Sequence, residues 1–147
     1  VVGIYLVNGG ESRMAQLVGQ DISKDNLIEI LNGVQNIFTY NGGRFDLPFI
    51  QWSLGINLET LAYHHDLMYD CWRCNLYGGL KVVERQLNIP RKLQGISGLD
   101  AVMLWSKYLE QGDQNALTTL LKYNEEDVMN LKELREKLSR NKTRRDV

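Results

Sequence analysis

The sequence predicts an α/β fold: a mixed sheet whose opening hairpin is antiparallel and whose later strands are joined through helices, with helices flanking it. Three observations predict it. Two runs rich in β-branched, aromatic and other apolar residues stand on either side of Asn8-Gly9-Gly10, which is the pattern of a β-hairpin. A short apolar strand, a glycine turn and a helix then follow in order across residues 36–54. From about residue 68 onward, apolar residues recur at helical spacing between Gly and Pro breaks. Strands first and helices later, with one antiparallel edge, is the order of a mixed sheet.

Val1 to Val7 and Met14 to Val18 form the hairpin arms. Ser23 can cap a helix in which Leu27, Ile28, Ile30 and Leu31 repeat, and Asn32-Gly33 ends it. Asn36 to Tyr40 is the next strand, broken by Asn41-Gly42-Gly43. Phe45 to Leu54 suits a mostly buried helix, with Pro48 tolerated in its first turn. Leu61 to Leu67 can form a short strand. Helices are then expected over Met68 to Tyr77, Leu80 to Leu87, Leu99 to Glu110 and Asn115 to Ser139, broken at Gly78-Gly79, Pro90, Gly95 to Gly98 and Gly112.

At 147 residues, 44% hydrophobic and 24% charged, the chain has the size of one compact domain, 1–147, with a basic tail from about residue 140 to 147. A net charge of -1 argues against a polycationic nucleic-acid sleeve. The charge is uneven: residues 1–73 hold 4 basic and 8 acidic groups, whereas residues 74–147 hold 13 and 10. No apolar run reaches the roughly 18 residues of a spanning helix, so no membrane partner is expected. Two cysteines do not make a disulfide framework, and the chain reads as cytoplasmic. It opens on Val1-Val2-Gly3-Ile4-Tyr5, already strand-like and with neither Met nor a polar leader. It is therefore read as an N-terminally incomplete domain.

Two acids stand where chemistry is plausible. Asp46 lies just past a strand and a glycine turn at the start of a helix, and open α/β sheets bind ligands at the carboxyl ends of their strands. The glycines allow a ligand close to the backbone, and Asn41 offers both a donor and an acceptor. The plain alternative is a first-turn acid favoured by the helix dipole. Tyr123 and Asp127, in Tyr123-Asn124-Glu125-Glu126-Asp127, are four residues apart, so a helix puts phenol and carboxylate on one face. A carboxylate is a hard ligand for Mg²⁺ or Mn²⁺, and a phenol beside it can hold a water in line. A solvated acidic helix face is the plain alternative here.

Taken in order, Phe38 to Phe49 (FTYNGGRFDLPF), His65-Asp66-Leu67, Gly79 to Glu84 (GLKVVE), Trp105 to Asp113 (WSKYLEQGD) and Leu121 to Leu131 (LKYNEEDVMNL) resemble the DnaQ-like (DEDD) 3′–5′ exonucleases of the ribonuclease-H-like fold, in the tyrosine subclass, and within it the YprB-type branch. The likeness covers nearly the whole chain. In that family an Asp-x-Glu on the first strand, an Asp in the second motif and an Asp in the third hold two divalent metals. The resemblance matches Asp46 to the second-motif acid, Asp127 to the third and Tyr123 to the residue that orients the attacking water. It matches Asn41 and Phe45 to positions that contact the nucleotide or shape its pocket. It implies a metal-dependent exonuclease using two Mg²⁺ or Mn²⁺ ions on a single-stranded nucleic acid or 3′ end, with DNA against RNA undecided. No Asp-x-Glu occurs in this sequence. Val1 to Val7 corresponds to the family's second strand, so the resemblance places the first strand and its two acids upstream. This chain alone is then expected to bind metal weakly and to turn over little.

The alternative is a catalytically inactive nucleic-acid-binding or protein-interaction module of the same fold; an Asp-x-Glu just upstream of Val1 would separate the two. Sheet edges exposed by a missing strand would also let two copies pair as a dimer. Asp66 is read as structural. His64 and His65 should point to opposite faces of a strand. Cys71-x-x-Cys74 has zinc-like spacing without a second pair, which favours partly buried cysteines. Trp52 and Trp105 are read as core, and Trp72 is given no role.

Overall fold

The computed structural model describes residues 1–145, which leaves 146 and 147 of the expected basic tail outside the described residues. By contact the chain divides into two compact units, each built from two stretches: Val1–Gly19 with Pro90–Met129, and Gln20–Ile89 with the chain from Asn130 onward. The fold is α/β, as expected, and among the described residues four strands pair two by two, one antiparallel pair in the first unit and one parallel pair in the second. The chain connections explain the directions. A tight turn returns a strand beside its predecessor, whereas a helical crossover delivers the next strand parallel.

In the first unit, β1 (Val2–Asn8) pairs with β2 (Glu11–Leu17) in register from Val2 opposite Leu17 to Asn8 opposite Glu11. Gly9 takes a positive φ of 61° in the turn between them, a conformation that glycine adopts without strain. The hairpin lies against α6 (Gln114–Arg145): a Cβ added at Gly3 would come within 2.2 Å of the Asn124 side chain. Gln16 Nε2 donates to the Leu121 carbonyl at 2.8 Å and to Asn124 Oδ1 at 3.0 Å. α5 (Gly98–Gln111) starts in a capping box, Ser97 with Asp100, and stops at Gly112 with φ 64°.

In the second unit, α1 (Lys24–Ile30) is capped by Ser23 Oγ, which accepts from Asn26 N at 3.1 Å. β3 (Asn36–Thr39) and β4 (Tyr63–Asp66) run parallel with Thr39 opposite Asp66, and α2 (Asp46–Leu54) forms the crossover between them. α3 (Leu67–Arg73) and α4 (Leu80–Gln86) follow. α3 ends earlier than its apolar spacing suggests, because Asn75 turns to φ 57° and Leu76 N folds back onto the Cys71 carbonyl at 2.8 Å. Leu67, Cys71, Val83, Ile89, Leu134 and Leu138 form the core, so α6 packs over α3 and α4 through Leu134 and Leu138. α6 continues past Ser139, where the apolar repeat stops, to Arg145.

Trp52 is not core. It is 82% exposed, as are much of Phe45 (65%) and Phe49 (63%). α2 carries large apolar residues on opposite faces, and periodicity in such a helix does not say which face turns inward. The inward face is Leu47 and Ile50, with Phe49 and Trp52 exposed on α2 and Phe45 exposed just before it. Trp105 is half-buried and packs with Tyr108, their ring centroids 5.5 Å apart. Trp72 meets the edge of Tyr69 and lies under the Arg44 guanidinium, 5.5 Å from its centroid.

Candidate functional site

The predicted site residues fall into two groups, one in each unit. Asn41, Phe45 and Asp46 share the junction between β3 and α2. Tyr123 and Asp127 lie one turn apart on α6.

The junction begins where β3 ends. Asn41 turns the chain with φ 60°, and Gly42 follows so close to the Thr39 side chain that an added Cβ would sit 2.4 Å from Thr39 Oγ1. Only glycine fits there. Leu47 N then donates to the Gly42 carbonyl at 2.9 Å, starting α2 with Asp46 in its first turn. Asp66, at the end of β4, holds this loop in place. Its carboxylate accepts from the backbone N–H of Asn41 at 2.8 Å, of Gly43 at 3.3 Å and of Met68 at 3.1 Å, so it also caps α3. That is the structural role expected of Asp66. His64 bridges Thr39 Oγ1 at 2.8 Å and the Glu59 carboxylate at 3.5 Å, while His65 bonds Asn36 Oδ1 and stacks on Phe38. The two imidazoles thus serve different partners, as their alternation along a strand requires.

Although Asp46 is exposed as a residue, desolvation of its carboxyl raises its pKa, the Asp66 carboxylate raises it further, and His64 offsets part of the rise. The Asn41 Oδ1 atom is buried with no hydrogen-bond partner among the described residues. Phe45 precedes Asp46 in a non-helical conformation, its ring open to solvent.

On α6 the surroundings differ. The segment after Ile89 is laid along the helix and fastened by Glu126, whose carboxylate accepts from Lys92 N and Leu93 N at 2.7 Å each. Arg91 is thereby placed with its guanidinium on the Asp127 carboxylate and 5.7 Å from the centroid of the Tyr123 ring. Sequence reasoning missed both Arg91 and Glu126. Arg91 lies 36 residues from its partner, so no periodic pattern links them, and Glu126 looks like any solvated acid of a Glu-Glu-Asp run.

A divalent ion such as Mg²⁺ or Mn²⁺ asks for hard oxygen ligands. At the junction the donors fit in kind: a carboxyl that desolvation, and then the Asp66 charge, hold from ionising easily, and a buried amide oxygen whose bonding capacity is unused. At Asp127 the positive charge is supplied by Arg91. Among the described residues, no group of three or more His, Cys, Asp or Glu side chains is placed to hold a metal ion. The cysteine spacing does not make a zinc site either. Cys71 is wholly buried, and burial, then the neighbouring Cys74, Asp70 and Asp66 charges, push its thiol up to about 12. A structural zinc site closes with four such ligands, and among the described residues these two cysteines have no further His, Cys, Asp or Glu placed to complete one. No helix of the described residues is long and apolar enough to cross a membrane.

No curated protein and no solved structure matches the chain. A family model described as RNase_H superfamily matches residues 1–139, a span that includes both acids, Tyr123 and the junction loop. Enzymes of that superfamily are typically nucleases that use Mg²⁺ or Mn²⁺, and its fold points to nucleic acid as the partner. With nearly its whole length matched and an α/β fold in agreement, the chain belongs to the ribonuclease H superfamily.

Proposed function

We propose that the chain carries the second and third acid motifs of a metal-dependent 3′–5′ exonuclease, with Asp46 and Asp127 as ligands for two Mg²⁺ or Mn²⁺ ions. The observation that carries this reading is the Asp46 junction: a carboxyl desolvated by its surroundings and within the field of Asp66, behind a glycine loop at the carboxyl ends of two parallel strands. When bound, such ions lower the pKa of a water and stabilise charge on the leaving oxygen. The chain's own groups do the rest. Tyr123 presents its phenol one helical turn from Asp127, where its oxygen can accept a hydrogen bond from the attacking water and fix its direction. Asn41 Oδ1 offers an acceptor to a nucleotide donor. The exposed rings of Phe49 and Trp52, three residues apart on α2, and of Phe45 just before it suit stacking on unpaired bases, and Arg44 adds a cation beside Phe45. The substrate in this reading is a single-stranded 3′ end.

The test is hydrolysis of 3′-labelled single-stranded DNA and RNA with Mn²⁺ by the protein in its full natural length. Asp127→Asn is expected to lower kcat by about 100-fold or more, the scale of removing one group that stabilises transition-state charge. Equal rates for the variant and the wild type would remove Asp127 from the mechanism. Release of internal fragments, in place of nucleoside monophosphates, would overturn the exonuclease assignment.

A further inference from the structure

Taking Asp127 as a metal ligand, as proposed above, we infer that Arg91 is its resident counter-cation: a divalent ion engages Asp127 by displacing the guanidinium, so Arg91 sets the affinity of this position for metal.

The geometry of the first unit supports this at three points. Arg91 is held on Asp127 by design of the local chain, because Glu126 clamps the next two backbone N–H groups at 2.7 Å each. The Arg91 side chain is only 10% exposed, and that of Asp127 33%. Water therefore screens the pair less than it screens a surface ion pair. The guanidinium also lies over the Tyr123 ring, a second attraction that keeps it at this end of the helix face. Arg cannot shed its proton, so its charge stays until the whole group moves. A divalent ion and a guanidinium on one carboxylate repel each other and compete for the same lone pairs. Their binding is then negatively coupled, and such couplings commonly amount to about 5- to 150-fold in affinity.

The competing explanation is a brace. A partner that merely orients a ligating side chain raises metal affinity, and removing it costs about 10- to 100-fold. The two roles predict opposite signs. Mn²⁺ binding to the chain, followed by the electron paramagnetic resonance signal of free Mn²⁺, separates them. Arg91→Gln is expected to bind Mn²⁺ about fivefold or more tightly than wild type, Arg91→Lys to stay near wild type, and Asp127→Asn to bind more weakly. Unchanged or weaker binding by Arg91→Gln, alongside weakened Asp127→Asn, overturns the counter-cation and leaves Asp127 as a ligand. Unchanged binding by Asp127→Asn removes that ligand assignment, and this inference with it.

A wild-type readout covers the case in which Arg91→Gln does not fold. During an Mg²⁺ titration, the Nε–Hε resonance of Arg91 is expected to move over the same concentrations that shift the Asp127 carboxyl carbon. A stationary Arg91 resonance while Asp127 titrates overturns the displacement, and an Asp127 carbon unmoved by Mg²⁺ again removes the ligand.

Discussion

A carboxyl group whose pKa rises on folding opposes the native state wherever it is ionised. Asp46 is such a group. Its folded form holds the proton to higher pH than its unfolded form, so its favourable contribution is complete below the ordinary value of 3.8 and is lost as pH rises through the raised value. Asp46→Asn removes that penalty. The variant is expected to melt at a higher temperature than wild type at pH 7, with the difference closing as the pH falls below about 4; scanning calorimetry across pH measures it. A gain that persists unchanged at pH 3 would show that charge is not its origin. The acid itself was legible in the sequence from its place after Asn41-Gly42-Gly43. Its perturbation was not, because that depends on Asp66 and His64, which reach it only through the pairing of β4 with β3.

At the scale of elements, helix starts followed local signals closely. Ser23, Asp66 and the Ser97–Asp100 box each start a helix through a side-chain oxygen, and such caps are written in neighbouring residues. The inward face of α2 was not legible, since Leu47, Phe49, Ile50 and Trp52 are all apolar and only packing chooses among them. That choice leaves an aromatic face free for the proposed stacking role. Oligodeoxythymidylate is expected to quench the tryptophan fluorescence of the chain, with Trp52→Ala removing most of the quench and Phe49→Ala weakening binding by about 1–3 kcal/mol, the usual size of one base–aromatic stack. Quenching that survives Trp52→Ala would move the nucleic-acid contact to Trp72 or Trp105. Since Trp52 is so exposed, its loss is expected to leave the thermal stability nearly unchanged.

For the whole molecule, the superfamily was legible from the ordered set of motifs, though no single motif would have sufficed. Acid count bears on activity at this scale. Two metals at about 3.5–4 Å carry four positive charges, and the sequence contains no Asp-x-Glu to supplement Asp46 and Asp127. The 147-residue chain assayed alone is expected to hydrolyse single-stranded DNA at or near the uncatalysed background with Mn²⁺. Robust turnover would mean that other side chains complete the ligand set. What the sequence did not foreshadow is the interleaving of the two units, whose stretches alternate along the chain. The polypeptide passes from one to the other three times, at residues 19–20, 89–90 and 129–130. No single cut therefore yields either unit whole. Trimming the C-terminus before Leu134 strips two leucines from the core of the second unit, and trimming the first 19 residues strips the hairpin from the other. Limited proteolysis or shortened expression boundaries should destroy this domain rather than divide it.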